Sequence, residues 1–273
     1  ARPTRSEYLA RINQENLLKH EIQRLTQALA LEKQNTLNVS AQPQQQTAVQ
    51  LKQKVTTNEV ESNKSSQQLI ALNIQFYDPK EFLNSVNQSV SVPFFKLCQL
   101  FLDKSIDLCV KHYQLDPTVI QVNQIFNAEG ATLSTMGEQE NALECLMMIG
   151  AVFQLLSDVL YKRYREDKRF ALQTRGAVAS AVEAMQLDAI ESAKRLTQHL
   201  SAKEAALHLN HDQLKLIQNC YDLVAMPNPS NIMTRHAFMI HGMNEDCAKL
   251  AQNLRTEILM GKKAKVATDT STL

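Results

Sequence analysis

The stretch CLMMIGAVFQLLSDVLYKRYREDKR, from Cys145 to Arg169, constrains this chain more than any other. An apolar run followed by a basic cluster is either a membrane span with its flank or the central helix of a soluble domain. A spanning helix needs about 20 mostly apolar residues. Here the unbroken run covers only Cys145 to Phe153 before Gln154, Ser157 and Asp158 interrupt it. An acid near a helix centre costs roughly 2.5–3.5 kcal/mol on insertion. Glu140, Glu144, Ala151, Gln154, Asp158, Lys162 and Arg165 recur at helical spacing, so they form one narrow stripe, and apolar residues cover the rest. The basic residues then gather where cations complement a helix C-terminus. The pattern predicts a mostly buried helix of a soluble protein.

Composition extends that reading to the whole chain. Aromatic residues are 5%, Trp is absent and Gly numbers six, which disfavours sandwiches and barrels. The expected fold is all-α: an irregular multi-helix bundle with an N-terminal coiled-coil-like helical arm. The net charge of +1 supplies no basic excess for holding phosphates, so nucleic acid is not an expected partner. Cys98, Cys109, Cys145, Cys220 and Cys247 are scattered in apolar text without a CxxC. They read as reduced core thiols in a cytoplasmic compartment, neither a disulfide framework nor a zinc site. The opening ARPTRSEYLARINQEN lacks the apolar core of a secretory signal.

Along the chain, residues 1–75 are rich in Gln and Asn. Leu18, Ile22, Leu25 and Leu29 are spaced four, three, four, a short heptad seam suited to pairing with itself or with a partner helix. Residues 76–261 carry nearly all the aromatics and read as the bundle domain. DPKEF (Asp78 to Phe82) is a helix start, Asp116 and Pro117 cap a further helix, and Gly130 suits the residue after one. RFALQTRGAVASAVEAMQLDAIESAKRLTQHL reads as one Ala-rich helix whose Gly176, Ala179, Ser180 and Ala184 let a neighbour approach closely. Ser201 to Glu204 forms a capping box, a helix is expected from about Ile232 to His241 and to end at Gly242, and a last one runs from about Asn244 to Gly261. Residues 262–273 form a basic, polar, disordered tail.

Sites of chemistry are sparse. His208 and His211 flank a break at Asn210, and His236 and His241, five apart, do not share a helix face. No HExxH, GxSxG, GxGxxG or P-loop spacing occurs, so no catalytic residue, metal ligand or cofactor is expected. The basic cluster Lys162, Arg163, Arg165, Lys168 and Arg169, interleaved with Tyr161 and Tyr164, could face an anionic surface. Ser271-Thr272-Leu273 has the form that strand-adding peptide binders capture.

The Gln/Asn-rich arm TQALALEKQNTLNVSAQPQQQTAVQLKQK on an orphan helical domain, with the small polar tail KVATDTSTL, resembles effector proteins that intracellular bacterial pathogens secrete through type IV systems. The resemblance implies engagement of host trafficking, cytoskeletal or membrane components, in a host cytosol, and carries over no site residue. The expected function is therefore a non-catalytic interaction or scaffold protein acting through the arm. Two alternatives are peripheral binding to anionic lipid and an enzyme whose site is assembled from scattered residues.

Overall fold

The computed structural model describes residues 69–167 and 169–261. The seam residues Leu18, Ile22, Leu25 and Leu29, Lys168 and the C-terminal tail lie outside the described residues. The described part is not the expected all-α bundle. It is an α/β domain built on a seven-stranded sheet of order β2-β3-β1-β4-β5-β7-β6.

The chain begins with β1 (Leu69–Tyr77), then a single turn α1 (Phe82–Ser85) and the long helix α2 (Gln88–His112). The hairpin β2 (Gln121–Asn127) and β3 (Gly130–Met136) follows, then α3 (Ala142–Glu166), β4 (Gln173–Ser180) and α4 (Ala189–Gln198). The remaining elements are β5 (Ala205–His208), α5 (His211–Ile217), β6 (Tyr221–Ala225), α6 (Ile232–Arg235), β7 (Phe238–Met243) and α7 (Glu245–Met260). β1 pairs antiparallel with both β3 and β4, β4 pairs parallel with β5, and β7 lies antiparallel between β5 and β6.

Each misread strand has a physical cause. β1 is covered on both faces. Ile70, Leu72, Ile74 and Phe76 enter the core beneath α2 and α3, while Ala71 meets Ala179, Ala189 and Ala193 under α4. A strand buried on both sides loses the polar–apolar alternation that announces strands. β4 is small-residue text because α4 lies close on it, so the close approach expected of Gly176 and Ala179 is made by a strand. Gly130 has φ 96° as expected of a left-handed position, but it turns the β2–β3 hairpin. A Cβ there would collide with the Ile74 carbonyl oxygen. Asp116 caps only a short 3-10 turn at Pro117–Val119. Ser201 and Glu204 make a turn leading into β5, and the segment expected as helix to His241 is helical only through Arg235. Pro93 lies within α2 without ending it.

The buried helix expected from Cys145 onward is α3. α3 is the one described helix long and apolar enough to cross a membrane. Its Leu143, Leu146, Ile149, Val152, Phe153, Leu156 and Leu160 are buried against the sheet and its helical neighbours. α7 also matches expectation: Asn244 caps its start and Gly261, at φ 57°, ends it. Cys98, Cys109 and Cys145 are buried free thiols, but Cys220 and Cys247 are bonded to each other across a Cα separation of 5.9 Å, joining β6 to the first turn of α7. The expectation of five reduced cysteines is corrected accordingly. The two are 27 residues apart in sequence, and only the fold brings them together.

Candidate functional site

Beneath α3 and α7 the helix layer does not fill the space above the sheet. A cavity of about 350 Å³ remains, floored by β1, β4, β5 and β7. Its size comes from the residues that face it. Gly150 and Ala151 on α3, Gly176 on β4, Ala205 on β5, Gly242 on β7 and Ala251 on α7 all line it, and each withholds the side chain that would close it. At Gly242 an added Cβ would meet nothing within 4 Å. Interiors elsewhere are close-packed with few voids larger than a water, whereas small-molecule sites are concave, mostly apolar and about 300–1,000 Å³.

Polar groups sit at the two ends. At one end Gln154 accepts from the Thr174 hydroxyl through Oε1 at 3.2 Å, and Ser157 lies 2.8 Å from the same hydroxyl. Thr174 has one proton and gives it to Gln154, so Ser157 donates to Thr174. The Gln154 Nε2 is buried with no partner. Lys203 reaches this end from the turn before β5. Its backbone is left-handed, φ 68°, a conformation non-glycine residues hold only when surrounding contacts fix it. The fixing contact is its N–H, which donates to the Thr174 carbonyl at 2.7 Å. Its ammonium stands 3.2 Å from Asp158, one turn beyond Gln154. At the other end Tyr221 is buried and its hydroxyl has no partner. Burial, reinforced by Tyr113, Cys109 and Glu144, pushes that hydroxyl well above the ordinary tyrosine range.

The residues singled out from sequence are placed elsewhere. Arg163 pairs with Asp167 at 3.2 Å and Glu166 at 3.7 Å, and the Arg169 guanidinium lies over the Tyr164 ring at 5.5 Å. Lys162 and Arg165 are exposed. The described members of the cluster are thus divided between contacts at their own helix end and solvent. His208 lies on β5, with burial and then His236 lowering its pKa, while His211 opens α5 behind the Asn210 capping box. No three His, Cys, Asp or Glu side chains gather around a common point among the described residues. Gly150, Lys203 and Tyr221 were not singled out from sequence, and Gly242, expected to end a helix after His241, lies in β7. The usable signal was glycine inside otherwise regular apolar text, at Gly150 and Gly242.

No family model matches the sequence, and no curated protein matches it. Solved structures do. The adenylyl cyclase CyaB from P. aeruginosa overlaps with a TM-score of 0.46 at 11% identity, over 66% of this chain and 96% of that one. The guanylyl cyclase Cya2 gives 0.47 at 8%, over 65% and 93%. The dimeric guanylyl cyclase domain of RhoGC from Blastocladiella emersonii gives 0.42 at 9%, over 65% and 98%. Overlaps at this level are a likeness of outline and assign no role to any residue here. The non-catalytic scaffold, with its lipid-surface alternative, was inferred for a helical bundle. The described residues form a mixed sheet domain instead, which removes that basis.

Proposed function

We propose that this protein binds a small, largely apolar molecule in the cavity between the sheet and helices α3 and α7. One observation carries the reading: the cavity is about 350 Å³ and is lined by glycines and alanines drawn from five separate elements. Filling such a space with ordinary side chains would raise stability, because voids forfeit contact energy. A fold that keeps it open, with buried unpartnered polar atoms on Gln154 and Tyr221 beside it, has the composition of a ligand site.

The test is a fluorescence titration of the full chain with N-phenyl-naphthylamine, a neutral dye that brightens in apolar surroundings. The wild type is expected to show saturable enhancement, and Gly242→Leu, whose side chain enters the open space, to lose it. Equal dye binding by both, or none by the wild type, would remove the cavity from consideration.

Self-association belongs to the same reading in a coarse form. β2 is an edge strand of the sheet, and Val122 and Ile125 on it are exposed. Unpaired apolar edges of this kind pair with other chains.

A further inference from the structure

Resting on the cavity reading, we propose that the occupant is a monocarboxylate with an apolar tail, its head at Lys203 and its tail directed toward Tyr221. Three features of the lining set this polarity. First, Lys203 brings the one permanent charge among the lining residues, beside the titratable side chains of His241 and Tyr221; no carboxylate and no thiol lines the space. Asp158 pairs with Lys203 but is not part of the lining. An ammonium has three donors, so the Asp158 contact leaves donors for a second oxygen. Second, the neighbouring amides also offer donors. Gln154 spends its Oε1 on Thr174 and keeps Nε2 unpartnered. Gln252, across the opening on α7, spends its Oε1 on Arg255 at 2.8 Å. That bond leaves its Nε2, on the opposite side of the carboxamide, as a donor. A head that accepts hydrogen bonds and carries negative charge meets all of these; an alcohol meets them in part, and an amine opposes Lys203.

Third, the cavity is long enough for a tail. Met147 and Gln154 both line it, and seven residues of α-helix span about 10 Å. Between those ends the walls include Leu72, Ile74, Gly150, Phe153, Val178 and Ile240, which suit an apolar chain. The Asp158 contact at 3.2 Å holds the Lys203 ammonium at this end.

The experiment is calorimetric titration of the full chain with decanoate, decanol and decylamine, each below its micelle concentration, on wild type, Lys203→Met, Lys203→Arg and Gly242→Leu. Decanoate is expected to bind at least about tenfold tighter than either analogue. Lys203→Met is expected to erase that preference, with decanoate falling to about the affinity of decanol. Lys203→Arg should keep it, which separates lost charge from lost folding, and Gly242→Leu should abolish binding of all three. If wild type binds decanol or decylamine as tightly as decanoate, and Gly242→Leu still abolishes binding, the carboxylate assignment is wrong and the cavity reading stands. If no probe binds the wild type, or Gly242→Leu binds them all unchanged, both fall.

Discussion

Gly150, midway along α3, rests on Leu72 of β1: a Cβ placed on Gly150 would lie 3.4 Å from Leu72 Cδ2 and 3.5 Å from Cδ1. Gly176 faces the same residue from β4, with its Cβ position 4.0 Å from Leu72 Cδ1. Leu72 therefore stands between two glycines, and its methyl groups form part of the cavity floor. An alanine at Gly150 would press on methyls that can yield into open space. Gly150→Ala is expected to raise stability by about 0.5–1 kcal/mol, since glycine inside a helix costs about that much. Chemical denaturation measures it, and a loss above about 1 kcal/mol would mean that Leu72 is fixed.

Gly130 is the opposite case. With φ 96° and the Ile74 carbonyl in the path of any Cβ, Gly130→Ala must both enter a forbidden conformation and displace the backbone of β1. A loss of about 2–3 kcal/mol is expected in the same measurement. A neutral result would show that the β2–β3 turn is not as described.

The Cys220–Cys247 bond ties β6 to the start of α7, whose next turns roof the cavity through Ala248 and Ala251. Closing a loop of 27 residues is worth about 3.5 kcal/mol through the unfolded chain. Cys247→Ser is expected to lose that amount under oxidising conditions, and reductant should lower the wild type to the variant's level. Reductant without effect on wild-type melting would contradict it. Alkylation of the folded protein should spare Cys98, Cys109 and Cys145. Burial raises all three thiols, and Cys145, with Glu144 adding to burial, is pushed up to about 12, so little thiolate forms near neutrality.

His208 sets an acid limit. Burial, then the nearby His236, lowers its folded pKa below the ordinary 6.5. Between the folded and unfolded values the unfolded chain binds more protons, so stability rises with pH there. The contribution of His208 is complete above about pH 6.5 and is lost as pH falls from there toward the folded value. His208→Gln is expected to flatten the melting temperature between about pH 6.5 and 5; an unchanged slope would assign it to another group.

At the β2 edge, Ile125 is 65% exposed. If that edge pairs with a second copy, Ile125→Lys should shift the protein toward monomer in light scattering, because a charged edge residue blocks strand addition. An unchanged mass distribution would place self-association elsewhere.

What the sequence disclosed follows from periodicity. α3 and α7 were legible because each has one buried face, a polar stripe and, for α7, a capping Asn244 and a terminal Gly261. The sheet was not. β1 is buried on both faces, β4 is written in Gly and Ala, and β5 is four residues long, so none shows a period of two. Gly130 and Gly176 were singled out correctly as special positions but assigned to helices, because a glycine records a close approach without saying what approaches. The cavity was invisible for a related reason. Gly150, Gly176 and Gly242 converge only once β4 and β7 lie in one sheet under α3, and Lys203 joins them through a backbone bond to Thr174.

The most direct test of the binding reading is a crystal grown with decanoate carrying bromine at its tail end, examined by anomalous scattering. The account predicts a bromine peak among Met147, Tyr221 and Ala251, with the carboxylate density at Lys203. A peak outside the space between α3, α7 and the sheet, or a cavity filled by repacked side chains, would contradict it.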